Sequence, residues 1–139
     1  IGGERSREND VGEMRRVLNA FLQFIEQDTS DSLIVAATNN ATLLDGALFR
    51  RFEDVVYYDN PEEEERQKLV RNILGTFIAS RFAWKQVLFE SAGLSHAEID
   101  HACRDAIKNA ILSDESKVKA NALLETLRER QGAHQGKRG

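Results

Sequence analysis

Two adjacent arginines, Arg50 and Arg51, follow shortly after an asparagine pair, Asn39 and Asn40, at the end of the uncharged run Leu33 to Ala37. Guanidinium groups stay charged at any working pH and present their donors in a rigid fork. Facing a triphosphate, they can neutralise the charge that develops on a transferred phosphoryl group. The carboxamide of Asn39 can hydrogen-bond a terminal phosphate, or orient an attacking water, without adding a repelling charge. Each feature also has a plainer reading. Asn39 and Asn40 suit a turn that caps a following helix, and Glu53 and Asp54 stand beside the arginines as ready ion-pair partners. Spacing alone leaves both readings open.

Other chemistries are poorly served. No Gly-rich loop ending in Lys-Ser or Lys-Thr occurs in the sequence, so a phosphate cradle is absent. No Asp-Glu pair follows an apolar strand to hold magnesium or act as a base. His96, His101 and His134 make no metal set with Cys103: His96 and Cys103 share a helix face but lie ~10 Å apart along its axis. Cys103 falls among Ala102, Ala106 and Ile107 and reads as a buried thiol. Phe82 and Trp84 read as core anchors, and no metal site is expected.

The elements that would position these residues follow from periodicity. Residues 2 to 10 are polar and loop-like. Met14, Val17, Leu18, Phe21, Leu22 and Ile25 then recur at threes and fours, which predicts a helix capped by Asp10 and ending near Gln27. Asp28 to Ser32 is a turn. Leu33 to Ala37 predicts a strand buried on both faces, with its polar residues at the carboxyl end, where open α/β sheets place ligands. Leu43 to Leu48 suits a short helix and Val55 to Tyr58 a second, parallel strand.

Asp59-Asn60-Pro61 marks a boundary, with Asn60 as cap, Pro61 at the first helical position and Glu62 to Glu65 at the positive end of the helix dipole. Four helices follow. The first carries Leu69, Val70, Ile73 and Phe77, and the second, Phe82 to Ser91, is closed by Gly93. The third is capped by Ser95 with Glu98 completing a capping box. Its stripe runs Ile99, Ala102, Cys103, Ala106, Ile107, Ala110, Ile111. The fourth, about Glu115 to Arg130, carries Val118, Leu123, Leu124 and Leu127. The expected organisation is a partial α/β subdomain over 1–61, a helical subdomain over 62–131 and a frayed tail over 132–139. Two strands and one long helix cannot close a doubly covered sheet, so self-association is expected.

Formal charge is −4, with 41% hydrophobic and 30% charged residues, which fits a globular chain without a nucleic-acid footprint. One cysteine excludes an internal disulfide and fits a reducing, cytoplasmic compartment. No apolar run approaches the ~20 residues that span a bilayer.

The run Ile34-Val35-Ala36-Ala37-Thr38-Asn39-Asn40, then Leu43-Leu44-Asp45-Gly46-Ala47-Leu48-Phe49-Arg50-Arg51-Phe52-Glu53, resembles the second region of homology of the AAA ATPases. By that resemblance Asn39 is the sensor-1 residue that reads the γ-phosphate. Arg50 and Arg51 are arginine fingers that reach the nucleotide of an adjacent subunit. Arg-Arg-Phe without an intervening Pro-Gly is similar to the meiotic clade. Ile1-Gly2-Gly3 resembles the residues beyond the Walker B acids, and Glu4 to Asp10 the second pore loop. Asp59-Asn60-Pro61 with Arg66 resembles the start of the helical lid.

Gly93-Leu94-Ser95-His96-Ala97-Glu98-Ile99 resembles the start of the sensor-2 helix, where Ser95, His96 and Ala97 would approach adenine and ribose. His96 stands where the family usually has a small glycine. The resemblance implies the C-terminal part of a P-loop NTPase α/β domain followed by a four-helix lid, beginning after the Walker A and Walker B elements. It implies ATP and Mg2+ as cofactors, with the magnesium ligands outside this chain, and a homo-oligomer, expected to be a hexamer. The expected function is ATP hydrolysis that remodels or threads protein substrates, with these 139 residues inactive alone. The rival expectation is a non-catalytic regulatory or adaptor module of the same fold.

Overall fold

The structure, a computed structural model, describes residues 2–39, 46 and 50–136, with side chains from Glu8 onward. Two compact units divide between Tyr57 and Tyr58.

In the first unit, helix α1 spans Gly2–Gln27. It begins eight residues before the expected cap: Asp10 is mid-helix, and the segment from Gly2 to Asp10, expected as a loop, is helical. Nothing in that segment is proline, and its glutamates and arginines are good helix formers. Of the apolar stripe only Leu22 is buried, while Met14, Val17 and Phe21 are exposed, as is Phe24 beside it. The helix ends at Gln27 as expected. Asp28 closes a turn by accepting from the Ser30 backbone N–H and hydroxyl, both at 2.9 Å. Those bonds hold the Asp28 carboxyl below its usual range.

Leu33 to Ala37 and Val55 to Tyr58 are not strands, which corrects the expected buried pair. No strand forms among the described residues, and Leu33 and Val35 are 89% and 81% exposed. A short apolar run becomes a strand only when neighbouring strands complete its ladder and layers cover its faces. Neither condition is met by the described residues. The expected helix Leu43 to Leu48 lies, apart from Gly46, outside them.

The second unit is a four-helix arrangement around one core. Helix α2 is Glu63–Leu74, α3 Trp84–Glu90, α4 His96–Leu112 and α5 Ala120–Gly136. Helix α4 packs along both α2 and α5, and α3 lies on α5. Ala102, Ala106 and Ala110, four apart, form the small-residue stripe of α4, within a core that includes Val70, Leu74, Val87, Leu94, Ile99, Leu123 and Leu127. Each fully buried Leu, Ile or Val contributes roughly 1.5–3 kcal/mol of apolar transfer.

Several boundaries differ from expectation, and α3 begins at Trp84 where Phe82 was expected. The cap of α2 is Glu62, whose backbone N–H donates to Glu65 Oε2 at 2.9 Å; Asn60 and Pro61 precede it. Ile111 leaves the α4 stripe and is exposed, because the helix runs past the residues that cover it. Val118 precedes α5: it is fully buried and bridges in parallel to Ile78, with its N–H donating to Phe77 O at 2.6 Å. The long-range bridge outweighs the local helical pattern and delays the helix to Ala120. Helix α5 also continues through Gly136, into the stretch expected to fray. No described helix is long and apolar enough to cross a membrane.

Candidate functional site

In the first unit, Asn39 is exposed at the end of the extended segment, and Arg50 and Arg51 are exposed in a turn. Arg51 Nε lies 3.3 Å from Glu26 Oε1 in the last turn of α1. The partner is therefore neither Glu53 nor Asp54, because a nearby helix end offers its carboxylate to the turn. Arg50 enters no ion pair among the described residues, and no hydrogen bond joins Asn39 to either arginine there. Asn40 lies outside the described residues.

In the second unit the capping box is complete. The Glu98 N–H donates to Ser95 Oγ at 3.2 Å, and the Ser95 N–H donates to Glu98 Oε2 at 2.8 Å. Ser95 is half-buried and its hydroxyl is engaged, while His96 and Ala97 are exposed on the first turn of α4. Orphan N–H groups and the helix dipole make such a turn favourable to negative charge. The Ser95 backbone N–H holds the Glu98 carboxyl below its usual range. Burial opposes this, and the Ser95 hydroxyl and His134 reinforce it.

The turn before α4 is gripped from several directions. Asn60 Nδ2 donates to Gly93 O at 3.1 Å. Gly93 has φ +78°, a left-handed conformation that disfavours side chains. Arg66 is buried with three neutral acceptors: Ser91 Oγ at 3.2 Å, Pro61 O at 2.9 Å and Leu88 O at 3.3 Å. From α5, Gln131 Nε2 donates to the carbonyls of Glu90 and Ala92, both at 2.9 Å, and His134 Nδ1 lies 3.3 Å from Glu98 Oε1.

Sequence reasoning missed Gln131, His134 and Glu26. A signal for Gln131 was available: it continues the Leu124 and Leu127 stripe by one turn, and a polar residue prolonging a buried stripe needs a polar partner. Cys103 is fully buried on α4, where burial pushes its thiol up to about 12, with Asp100 adding to the shift and Arg104 opposing it. Among the described residues no three His, Cys, Asp or Glu side chains converge to hold a metal ion.

The profile of the ATPase family associated with various cellular activities (AAA) matches residues 1–60. An uncharacterized AAA family ATPase, y4kL, of Sinorhizobium fredii is 33% identical over 82% of this chain and 34% of its own length. The meiotic spindle formation protein mei-1 of Caenorhabditis elegans is 31% identical over 80% of this chain and 25% of its own length. A 26S proteasome regulatory subunit homolog of Methanothermobacter thermautotrophicus is 28% identical over 94% of this chain and 36% of its own length. The chain thus spans about a third or less of these relatives. With the family profile over the first 60 residues and a relative 33% identical across most of both units, the chain belongs to the AAA family of ATPases, whose fold is that of P-loop NTPases.

Proposed function

We propose that this chain supplies the phosphate-sensing residue, the arginine fingers and the lid of an ATP-hydrolysing AAA protein that remodels or threads protein substrates. The observation that carries this reading is the exposure of Arg50 and Arg51. A guanidinium already buried against acids would be withdrawn from a neighbouring nucleotide, whereas an exposed one can reach it.

The residues present fit part of a nucleotide site. The exposed guanidinium groups of Arg50 and Arg51 suit an anionic phosphate, whereas the sequence holds no phosphate cradle and the described residues hold no magnesium set. Bound Mg2+-ATP supplies the phosphoryl group that is transferred to water. Asn39 then hydrogen-bonds the terminal phosphate in its own subunit. Arg50 and Arg51 stabilise charge on the nucleotide of the adjacent subunit, so turnover requires a ring, a hexamer in this reading. Ser95, His96 and Ala97 border the base and ribose from the lid. The α/β layer forms around Leu33 to Ala37 and Val55 to Tyr58 when neighbouring strands complete the ladder. The direct Arg50-Arg51-Phe52 order and the likeness to mei-1 support a place in the meiotic clade. A thiol kept buried at Cys103 fits a reducing cytoplasmic setting.

ATP turnover of the full-length protein, compared with Arg50→Ala and Arg51→Ala, tests the reading. Each substitution is expected to lower turnover by about a thousandfold. Unchanged turnover in both defeats the finger assignment. The Arg51–Glu26 contact favours one rival, a non-catalytic adaptor in which Arg51 is structural. In that case Arg51→Ala loses stability and no wild-type ATP turnover is found.

A further inference from the structure

Helix α3 ends in a turn whose carbonyls are taken by side chains from three other stretches of the second unit. Leu88 O accepts from Arg66, Glu90 O and Ala92 O accept from Gln131, and Gly93 O accepts from Asn60. These include carbonyls that a helix end leaves without intrahelical partners. Gln131 reaches two of these carbonyls, where Arg66 and Asn60 each reach one. A primary amide carries two N–H groups, and both acceptors lie 2.9 Å from the same nitrogen. The side chain therefore spans the turn on either side of Ser91. One turn further along α5, His134 meets Glu98, whose carboxylate closes the cap on Ser95. The last turns of α5 thus hold both ends of the segment that leads into α4.

We propose that Gln131 is a positioning residue for nucleotide binding: by clamping the Glu90–Ala92 carbonyls it presets Ser95, His96 and Ala97 to receive the base and ribose. The inference rests on the reading of Ser95–Ala97 as a nucleotide-bordering segment. Gly93, at φ +78°, can swivel once the clamp is gone. The turn must then be ordered when ligand binds, and that cost appears as weaker affinity with the phosphoryl chemistry untouched.

The test uses full-length protein and a fluorescent ribose-labelled ADP. Gln131→Glu is isosteric but places an anionic oxygen against two carbonyls. Gln131→Ala removes the clamp without repulsion and serves if the first variant unfolds. Gln131→Lys restores donors. Arg130→Ala, which breaks the 3.1 Å contact to Asp105 from the neighbouring position of the same helix, controls for general loosening.

The expected result is a ~3- to 10-fold rise in the Kd for labelled ADP and in the KM for ATP with Gln131→Glu and Gln131→Ala. In both, kcat at saturating ATP is unchanged and amide exchange at 92–95 is faster. Gln131→Lys and Arg130→Ala are expected to stay within about twofold of wild type, below the cost of ordering one side chain. Wild-type affinity in Gln131→Glu or Gln131→Ala overturns the proposal, even if exchange at 92–95 accelerates. Equal weakening in Arg130→Ala also overturns it. A wild-type protein that binds no labelled ADP removes the underlying functional reading, and this proposal with it.

Discussion

Arg51 Nε sits 3.3 Å from Glu26 Oε1, and both side chains are substantially exposed, at 38% and 51%. Solvent screens such a pair, which is worth ~0–1 kcal/mol. It therefore contributes little to the stability of the fold. Glu26→Gln is expected to change unfolding stability by less than about 0.5 kcal/mol and to leave ATP turnover of the full-length protein intact. Arg51→Ala is expected to abolish most turnover. Equal loss in both variants would show that the ion pair, and not a phosphate contact, is the function of Arg51.

Arg66 presents the opposite case. Its guanidinium is buried and donates to Ser91 Oγ, Pro61 O and Leu88 O, with no carboxylate among these partners. Hydrogen bonds from a charged donor contribute about 1.5–3 kcal/mol each in favourable settings, and buried acceptors left unpaired are costly. Arg66→Ala is expected to destabilise by about 3 kcal/mol in urea unfolding. Arg66→Lys is expected to recover little of it, because one ammonium cannot span three divergent acceptors as the planar fork does.

What could be read in the sequence tracks the distance over which each contact acts. Ser95 and Glu98 are three apart, so their reciprocal cap was visible in the sequence and is present. The α4 stripe was visible from Ile99 to Ala110 because periodicity marks the covered face, but Ile111 shows that it does not mark where the cover ends. Val118 reads as helical locally and is claimed by Ile78 from far along the chain. Leu33 to Ala37 has strand composition, yet a strand is a property of its neighbours, which are not among the described residues. For the candidate site, residue types left Asn39, Arg50 and Arg51 open to a plainer reading, and the family resemblance alone singled out Ser95, His96 and Ala97. Glu26 was invisible because its partner lies more than twenty positions away, and Gln131 showed only as a polar residue prolonging a buried stripe, with its acceptors 41 and 39 positions back.

Cys103 is fully buried on α4, with its thiol pushed up to about 12. The thiolate is the reactive form, so the folded protein should resist alkylation. Iodoacetamide at pH 8 is expected to leave Cys103 unmodified in native buffer and to label it fully in denaturant, as read by intact mass. Rapid native labelling would mean that the α2–α4–α5 core opens far more often than its packing implies.

The Glu98 carboxyl gives a pH signature with a definite sign. Its folded-state pKa is lowered from the ordinary 4.5, first by the Ser95 backbone N–H, with help from the Ser95 hydroxyl and His134 and against the effect of burial. A depressed carboxylate stabilises the fold above its unfolded pKa, and that contribution disappears as pH falls through the lower, folded value. Glu98→Gln should therefore be less stable than wild type at pH 6, by about 1 kcal/mol, the usual worth of a cap. The gap should close progressively below the ordinary carboxylate pKa. Urea unfolding of both proteins between pH 3 and pH 7 measures it. A gap that widened on acidification would mean that the neutral acid, and not the carboxylate, is the form that closes the box on Ser95.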